Sequence, residues 1–289
     1  MGKLTWRCSE GKPCVEMNST VMIEDGFTLV KRRGKPSRKE AKRLLAPAST
    51  EDDAGPHESV VLRRVSEAEA DLQSSAYFEN FLHVLTKCLK VVPGDAQVCN
   101  IICYGLGNFA ACVSARFQFA LLICIRRHFS PVSVEIYDPA FTENERKILT
   151  SLGFTVLERN EEGKRSVRDR TLFYMPHCGT PLYNSVLWAN WDASSLSSVV
   201  IFGNSFDTMW TNKLDSALRQ KCAFLVNVRP AVREFAIAND FKYSDVFNDL
   251  ALHAFDTSAL HTDVWNSKDE PVYSGDDEIT LALEEKCKI

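Results

Sequence analysis

The sequence predicts an α/β protein: a Rossmann-like parallel sheet with helices on both faces, preceded by a long helix and a disordered basic N-terminal tail. Three observations lead to this prediction. Short, nearly continuous apolar runs alternate with segments whose apolar residues recur at helical spacing. Such runs are typical of strands buried on both faces, as in parallel sheets. A glycine-rich turn also lies between the first run and an apolar helical segment.

The tail covers residues 1–57, which lack sustained periodicity and end in a stretch rich in Ala, Pro, Ser and acidic residues. Residues 58–289 are expected to form one α/β domain. The chain has a net charge of -4, yet its first part is rich in Lys and Arg. The basic stretch Lys31–Lys39 fits a contact with nucleic acid or with the import machinery. A solvated basic arm is the plainer alternative.

The helices have recognisable signals. An apolar stripe predicts a long helix over residues 66–91, and a buried helix is expected over residues 111–125. A capping box starts a helix at Thr142, and Thr180 starts another before a proline. Ser205 precedes apolar residues that extend to Leu218 on one helical face.

Six apolar runs are the candidate strands. They are Val98–Tyr104, Val132–Tyr137, Phe154–Leu157, Leu172–Met175, Val199–Phe202 and Cys222–Val226.

Composition argues against several classes of protein. No apolar run approaches the roughly 20 residues that span a bilayer, and the N-terminus lacks the apolar core of a secretory signal. We therefore expect no membrane contact and a cytoplasmic location, with nuclear entry as a further option. The ten cysteines include no Cys-x-x-Cys pair, so they are interpreted as reduced core residues and no metal site is expected. Hydrolase and kinase motifs are not found.

A glycine turn is the first candidate site. Gly105, Gly107 and Asn108 directly follow the first strand and precede the buried helix. In this context backbone amides can approach a phosphate or carboxylate at the positive helix end. The spacing matches the dinucleotide fingerprint only loosely, and a compact turn without a ligand is the alternative.

Two charged residues complement this turn. Asp138 follows the second strand, where nucleotide-binding folds place an acidic residue that contacts a ribose. Asp-Pro is also a common turn, so a structural role stays open. Arg116 lies in the apolar helix and needs a partner, for which an internal carboxylate such as Asp138 or an anionic ligand is expected.

Polar residues also follow the fourth and fifth strands. These are His177 and Cys178 after the fourth strand, and Asn204 after the fifth. Because ligands bind outside the carboxyl ends of parallel strands, Gly105, Asp138, His177 and Asn204 should share one edge, here called the rim. His177 can serve as acid, base or metal ligand and Cys178 as a soft ligand, although both types often have structural roles at strand ends.

Several strings of residues occur in the order found in the Sensitivity-to-Red-light-Reduced (SRR-like) family, which the chain therefore resembles over about residues 95–210. They are CYGLGNF (103–109), SARFQFALL (114–122), YDPAFT (137–142), FYMPHCG (173–179), LWANW (187–191) and GNSF (203–206). Asn248, Asp249 and His253 agree more loosely with a later family string, and Asp25–Arg33 resembles the family's N-terminal signature.

The resemblance implies a regulatory role. Plant relatives act in light signalling and the circadian clock, animal relatives in haem biosynthesis and core clock gene expression, and fungal relatives in microtubule-related processes. It implies no assigned reaction. The leading hypothesis is therefore a regulator of haem biosynthesis and clock gene expression that works with protein partners and binds a small ligand at the rim.

Alternative functions stay open. The order of strand, glycine turn, helix and Asp138 also suggests an S-adenosylmethionine-dependent methyltransferase-like enzyme, although Phe109 occupies the place of a third glycine. A protein-interaction scaffold is the other alternative. The expected ligand is haem, with His177 and Cys178 as candidate axial ligands, or an adenosine-containing molecule.

Overall fold

The computed structural model describes residues 56–91, 97–266 and 269–273. The predictions for the tail, including those for Lys31–Lys39, fall almost entirely outside these described residues. The described part begins just before the first helix, α1, whose start is capped by the His57 side chain.

The helices follow in chain order. They are α1 (Glu58–Gln73), α2 (Ala76–Leu89), α3 (Val113–Phe129), α4 (Glu143–Ser151), α5 (Thr180–Ala189), α6 (Ala193–Ser198), α7 (Phe206–Asn212), α8 (Asp215–Lys221) and α9 (Ala223–Asn227). The strands are β1 (Asn100–Tyr104), β2 (Ser133–Tyr137), β3 (Thr155–Val156), β4 (Thr171–Met175), β5 (Val199–Asn204), β6 (Val232–Ala236) and β7 (Leu250–Phe255).

The strands form one seven-stranded sheet in the order β3-β2-β1-β4-β5-β7-β6. Strands β1 to β5 are mutually parallel, and β7 runs antiparallel to both β5 and β6. The strand order reverses between β1 and β4, as in doubly wound folds. Helices α1 to α4 cover one face of the sheet, and α5, α6, α7 and α9 pack on the other. The α/β fold class is confirmed, with an antiparallel strand inserted near one edge.

The predicted long helix is wrong in one respect, because it is two helices. The chain leaves α1 at Ser74, and Ser75 starts α2 by accepting a hydrogen bond from the Phe78 amide through its side chain. The Ser75 hydroxyl also donates to the Leu72 carbonyl oxygen. Serine side chains that bond to nearby backbone in this way compete with a continuous helix.

The segment after β5 also differs from the prediction. Cys222–Val226 was expected to be a strand, but Ala223–Asn227 is helical, since a short buried apolar run does not distinguish the two structures. The single helix expected from Ser205 to Leu218 is split, because the backbone is extended at Lys213 and Leu214.

The last two strands were not predicted. Strand β6 is a short edge strand that contains Arg233 and Glu234, so it lacks the apolar run expected of a buried strand. Strand β7 is buried along its whole length, but it runs in the opposite direction to both of its neighbours, β5 and β6. Within the described residues, no helix has the length and apolar character needed to cross a bilayer.

The core on the α1–α4 face contains an aromatic cluster with an unusual feature. The Tyr77 ring stacks on Phe247 at 4.4 Å between centroids and lies 6.4 Å from Phe81. The Tyr77 hydroxyl is buried without a hydrogen-bond partner among the described residues. An unpaired buried hydroxyl is destabilising.

We therefore expect Tyr77→Phe to preserve the packing and to raise the free energy of unfolding by up to about 1 kcal/mol, measured by urea denaturation. Tyr183→Phe is the matched control, because the Tyr183 hydroxyl donates to the Met175 carbonyl oxygen at 2.6 Å and accepts from the Asn204 amide at 2.9 Å. That substitution should lower stability by about 1–2 kcal/mol. A loss of stability in Tyr77→Phe would show that its hydroxyl has a partner in solution.

Candidate functional site

The glycine loop, residues 105–112, connects β1 to α3 at the reversal of strand order. Gly105 and Gly107 have φ values of +69° and +82°, in the left-handed region that favours glycine. A Cβ atom on Gly105 would lie only 2.6 Å from the Cys178 Sγ atom. A Cβ on Gly107 would meet nothing closer than Ala115 Cβ at 3.5 Å, so backbone conformation alone demands glycine there.

A buried carboxylate holds the first half of the loop. Asp138 is 1% exposed, and its Oδ2 atom accepts a hydrogen bond from the Gly107 amide at 2.7 Å. Its Oδ1 atom accepts from the Ala140 amide at the same distance. Asp138 thus fixes the glycine loop from the end of β2. Contact between Asp138 and a ribose stays a prediction, and in this conformation the carboxylate faces the protein.

A second carboxylate, for which the sequence predicted only a capping role, holds the other half of the loop. Glu145 is fully buried, and its Oε1 atom accepts from the Ala110 amide at 2.9 Å. Its Oε2 atom accepts from the backbone and hydroxyl of Thr142, each at 2.9 Å, which completes the predicted capping box of α4. No spacing rule links Glu145 to Ala110, so only the folded chain reveals this bond.

Arg116 has a different partner from the one predicted. Within the described residues its guanidinium donates to the carbonyl oxygens of Phe109, at 3.1 Å, and Ala110, at 2.8 Å, and not to a carboxylate. The expected pairing with Asp138 is therefore wrong, because backbone carbonyl groups at the end of the loop satisfy the charge. Burial, followed by the nearby charge of Arg64, lowers the pKa of Arg116.

Asn108 closes the loop from within. Its side-chain oxygen accepts a hydrogen bond from the Ala111 amide at 2.8 Å, and its carbonyl oxygen accepts from the Cys112 amide at 2.9 Å. The loop is therefore a rigid turn, tied to its own backbone and to two buried carboxylates. Such a turn presents its remaining amides in fixed directions.

The ends of β4 and β5 form the other side of the rim. Cys178 is 7% exposed, and its thiol donates to the Tyr104 carbonyl oxygen at 3.3 Å. The Asn204 side-chain amide donates to the Cys178 carbonyl oxygen at 3.2 Å. Burial raises the pKa of Tyr183 well above its usual range, so this side chain stays a neutral hydroxyl beside Asn204.

The structure brings the predicted residues together. Gly107 is bonded to Asp138, Gly105 packs against Cys178, and Cys178 is bonded to Asn204. His177 lies at the same edge, and its Nε2 atom is 3.3 Å from the Val246 carbonyl oxygen in the β6–β7 loop, residues 237–249. The predicted rim therefore exists as a continuous set of contacts. Binding of a ligand by these residues stays a prediction.

His177 adopts a left-handed backbone conformation, with φ of +55°. This conformation costs a non-glycine residue about 1–2 kcal/mol, and such strain concentrates at functional sites.

We expect His177→Gly to be more stable than His177→Ala by about 1 kcal/mol, which corresponds to a melting temperature roughly 2–4 °C higher. Both variants lack the imidazole, so any activity that needs the ring should fall equally in the two. Differential scanning fluorimetry compares the variants directly. Equal melting temperatures would mean that the backbone at this position relaxes when the ring is removed.

A buried ionic cluster beside the rim was not predicted as a site. Glu234 on β6 accepts hydrogen bonds from the Ser205 hydroxyl at 2.6 Å and from the amides of Phe206 at 2.8 Å and Asp207 at 3.1 Å. It also lies 3.1 Å from the Nε2 atom of His253, which is fully buried on β7. The cluster ties the start of α7 to the antiparallel end of the sheet.

The balance of charges in this cluster sets the ionisation of Glu234. Burial alone would raise its pKa, but the hydrogen bond and charge of His253, the Ser205 hydroxyl and the Asp207 amide together lower the pKa to about 2. Glu234 is therefore a carboxylate at neutral pH.

Solved structures show only limited similarity to this chain. An SAH-bound methyltransferase of Podospora anserina is 14% identical with a TM-score of 0.37, over 78% of this chain and 99% of the other. A protein of Corynebacterium glutamicum is 15% identical with a TM-score of 0.38, over 75% of this chain and 96% of the other. Such likenesses support no conclusion about ligand or reaction.

Sequence relatives are more informative. A mouse SRR1-like protein is 40% identical over 199 residues, covering 58% of this chain and 80% of its own length. The Arabidopsis thaliana protein SENSITIVITY TO RED LIGHT REDUCED 1 is 32% identical over 194 residues, covering 64% of this chain and 70% of its own length. The SRR1 domain model matches residues 79–254. This range includes the whole rim and all seven strands, apart from the last residue of β7. The chain belongs to the SRR1 domain family.

Proposed function

We propose that this protein regulates haem biosynthesis and circadian core clock gene expression by binding a small ligand at the rim. One observation carries the proposal: a rigid glycine loop lies at the reversal of strand order between β1 and β4. In open α/β sheets, ligands bind outside the carboxyl ends of the strands at this point. Family membership supports the regulatory role, and the Arabidopsis relative is named for its response to red light.

The geometry favours an adenosine-containing ligand over haem. Phe109, which replaces the third glycine of the fingerprint, is fully buried and packs on Phe119 at 4.5 Å, so its ring does not occupy the rim. An anionic group can approach only those loop amides that are not bonded within the protein, as the amides of Gly107, Ala110, Ala111 and Cys112 are. Haem ligation is less favoured, since the Cys178 thiol is buried and bonded to the Tyr104 carbonyl oxygen.

The second candidate function is an S-adenosylmethionine-dependent methyltransferase-like activity. It is supported by the order of β1, glycine loop, α3, β2 and Asp138, with the rim at the strand reversal. The burial of Asp138 argues against a ribose contact unless the bond from Gly107 opens. Methyl transfer to a cell extract, followed with labelled cofactor, distinguishes this enzyme from a ligand-binding regulator.

A thermal-shift panel tests ligand binding. S-adenosylmethionine, NAD, NADP, ATP and haem are each added to the full chain and to Gly107→Val. A ligand at 100 times its dissociation constant should stabilise the wild type by about 2.7 kcal/mol, which raises the melting temperature by several degrees. If haem alone shifts the wild type, the nucleotide hypothesis fails. If nothing shifts at millimolar concentration, a protein-interaction scaffold becomes the better explanation.

The Gly107→Val variant also carries a prediction. A branched side chain with φ of +82° is strained and blocks close approach to the loop, so we expect ligand binding and the clock or haem phenotype to be lost. A Cβ atom at this position meets no atom closer than 3.5 Å, so the cost to stability is the backbone strain of about 1–3 kcal/mol, and the folded state should survive it. Unfolding in step with the loss of activity would assign the glycine a structural role only.

We also propose a cytoplasmic location with nuclear entry through the basic stretch Lys31–Lys39. A fusion of residues 25–45 to a fluorescent reporter should accumulate in the nucleus. A diffuse reporter would contradict the import proposal and leave nucleic-acid binding by the tail to be measured separately.

A further inference from the structure

The side-chain oxygen of Asn204 is a rim atom that the protein itself leaves without a partner. Oδ1 is buried and accepts no hydrogen bond within the described residues. Buried acceptors without donors are rare in native proteins, and each requires an explanation. Asn204 is the last residue of β5, at the carboxyl edge where ligands bind in sheets of this type.

The hydrogen-bond network fixes the orientation of this amide. The Asn204 Nδ2 atom donates to the Cys178 carbonyl oxygen at 3.2 Å. A flipped amide would place its oxygen against that carbonyl oxygen, so the network excludes the alternative assignment. The Asn204 backbone amide is held in turn by the Tyr183 hydroxyl at 2.9 Å. Oδ1 is therefore held in place as an unused acceptor.

The hydroxyl and thiol groups of this network already donate their hydrogen atoms to other acceptors. The Tyr183 hydroxyl donates to the Met175 carbonyl oxygen at 2.6 Å, the Ser205 hydroxyl to Glu234 at 2.6 Å, and the Cys178 thiol to the Tyr104 carbonyl oxygen at 3.3 Å. Satisfying Oδ1 from any of these groups would break an existing bond. A ligand donor satisfies it without breaking these bonds, although the ligand must first displace the groups that cover the buried Oδ1 atom.

Strand register places Asn204 level with the glycine loop. Cys103 is paired with Tyr174, and Tyr174 with Phe202, so Gly105 and Asn204, each two residues further on, lie at the same height of the sheet. Two strand spacings separate β1 from β5, which corresponds to roughly 10 Å. A ligand of nucleotide size spans this distance.

We propose that the rim ligand carries an exocyclic amine or amide whose N–H donates to Asn204 Oδ1, and that Asn204 thereby determines ligand specificity. This inference rests on the proposed function, because it requires a ligand at the rim. The ligand places an anionic group at the glycine loop and its N–H donor roughly 10 Å away, at the end of β5. A base with an exocyclic amine, such as an aminopurine nucleotide, has this chemistry.

Pairs of molecules that differ in a single donor group test the inference. The probes are ATP with purine riboside triphosphate, which lacks the amine, and nicotinamide with methyl nicotinate, whose ester has no N–H. Affinities are measured by NMR titration of the full chain, and shifts at Gly105, Gly107 and the Asn204 side chain locate the binding. In the wild type, the donor-bearing member of at least one pair should bind about tenfold more tightly.

Two variants at one position separate specificity from folding. Asn204→Ala removes the acceptor, and the two members of the pair should then bind within about twofold of each other. Asn204→Asp keeps an acceptor oxygen and should keep the preference for the donor, at lower stability because its second oxygen replaces the Nδ2 group that donates to the Cys178 carbonyl oxygen. Melting temperatures verify that both variants are folded. If Asn204→Ala does not fold, the paired probes on the wild type alone still test the inference, because equal binding of the two members overturns it.

The outcomes distinguish this inference from the proposed function. Equal binding of paired molecules at the wild-type rim overturns the role of Asn204 while the ligand-binding function stands. A donor preference that persists in Asn204→Ala also overturns it, since another group then receives the donor. If no probe binds at the rim, both the inference and the proposed function fail.

Discussion

Asp138→Ala is expected to lower the free energy of unfolding by about 2–4 kcal/mol and to abolish ligand binding at the rim. The substitution leaves the amides of Gly107 and Ala140 without the carboxylate oxygens that each accept at 2.7 Å. Each unsatisfied amide costs about 1–3 kcal/mol when buried, and less here because both amides are partly accessible to water. Urea denaturation measures the loss.

Asp138→Asn is the informative control. An asparagine keeps one oxygen, so one of the two amides retains its acceptor, and the loss of stability should be about half that of the alanine variant. Ligand binding should follow the integrity of the glycine loop and not the charge. If Asp138→Ala were fully stable and only weakened binding of an adenosine-containing ligand, Asp138 would contact the ligand directly, as the sequence suggested.

Glu234→Ala is expected to be the more damaging change, with a loss of about 3–5 kcal/mol. The reason is that the substitution removes the carboxylate that lies 3.1 Å from the Nε2 atom of the fully buried His253. The start of α7 also loses the acceptor of the Phe206 and Asp207 amides. Thermal and urea unfolding should both show the loss. Glu234→Gln should retain the bonds from the Phe206 and Asp207 amides, which share one oxygen, but lose the acceptor of the Ser205 hydroxyl.

The same cluster predicts a dependence on acid. The folded state holds the pKa of Glu234 near 2, compared with an ordinary value of 4.5. A lowered pKa stabilises the folded protein at pH values above 4.5, and this stabilisation disappears as the pH falls from 4.5 toward 2. The contribution is at most roughly 3 kcal/mol. Glu234→Gln should flatten this part of the stability curve, and an unchanged curve would place the acid sensitivity elsewhere.

The family string that contains Asn248, Asp249 and His253 can now be explained by structure. Asp249 has φ of +54°, its carbonyl oxygen accepts from the Ser205 amide at 2.9 Å, and its side chain accepts from the Thr208 hydroxyl at 2.8 Å. The Nε2 atom of His253 lies 3.1 Å from Glu234. These residues therefore support the end of β5, on which Asn204 lies.

Local patterns in the sequence determined most of the α/β framework. Apolar runs located β1 to β5, and hydroxyl caps located the starts of α4 and α7. The predicted Thr180 cap of α5 was wrong, because the N-cap is Gly179 and the helix start has no side-chain capping bond. The glycine turn and the residues after the strands were also identified from sequence, because parallel strands bring their carboxyl ends to one edge. These features depend on a few neighbouring residues, and short-range sterics and hydrogen bonding set them.

Only the tertiary structure decided the features that join distant parts of the chain. The insertion of β7 between β5 and β6, the bond from Ala110 to Glu145 and the pairing of Glu234 with His253 each connect residues with no periodic relation in sequence. The lack of a partner for Asn204 Oδ1 also depends on tertiary structure, because it is set by all the groups that pack around this atom. Long-range packing creates these contacts. The sequence alone therefore predicts where the rim lies, but not which of its atoms lack hydrogen-bond partners.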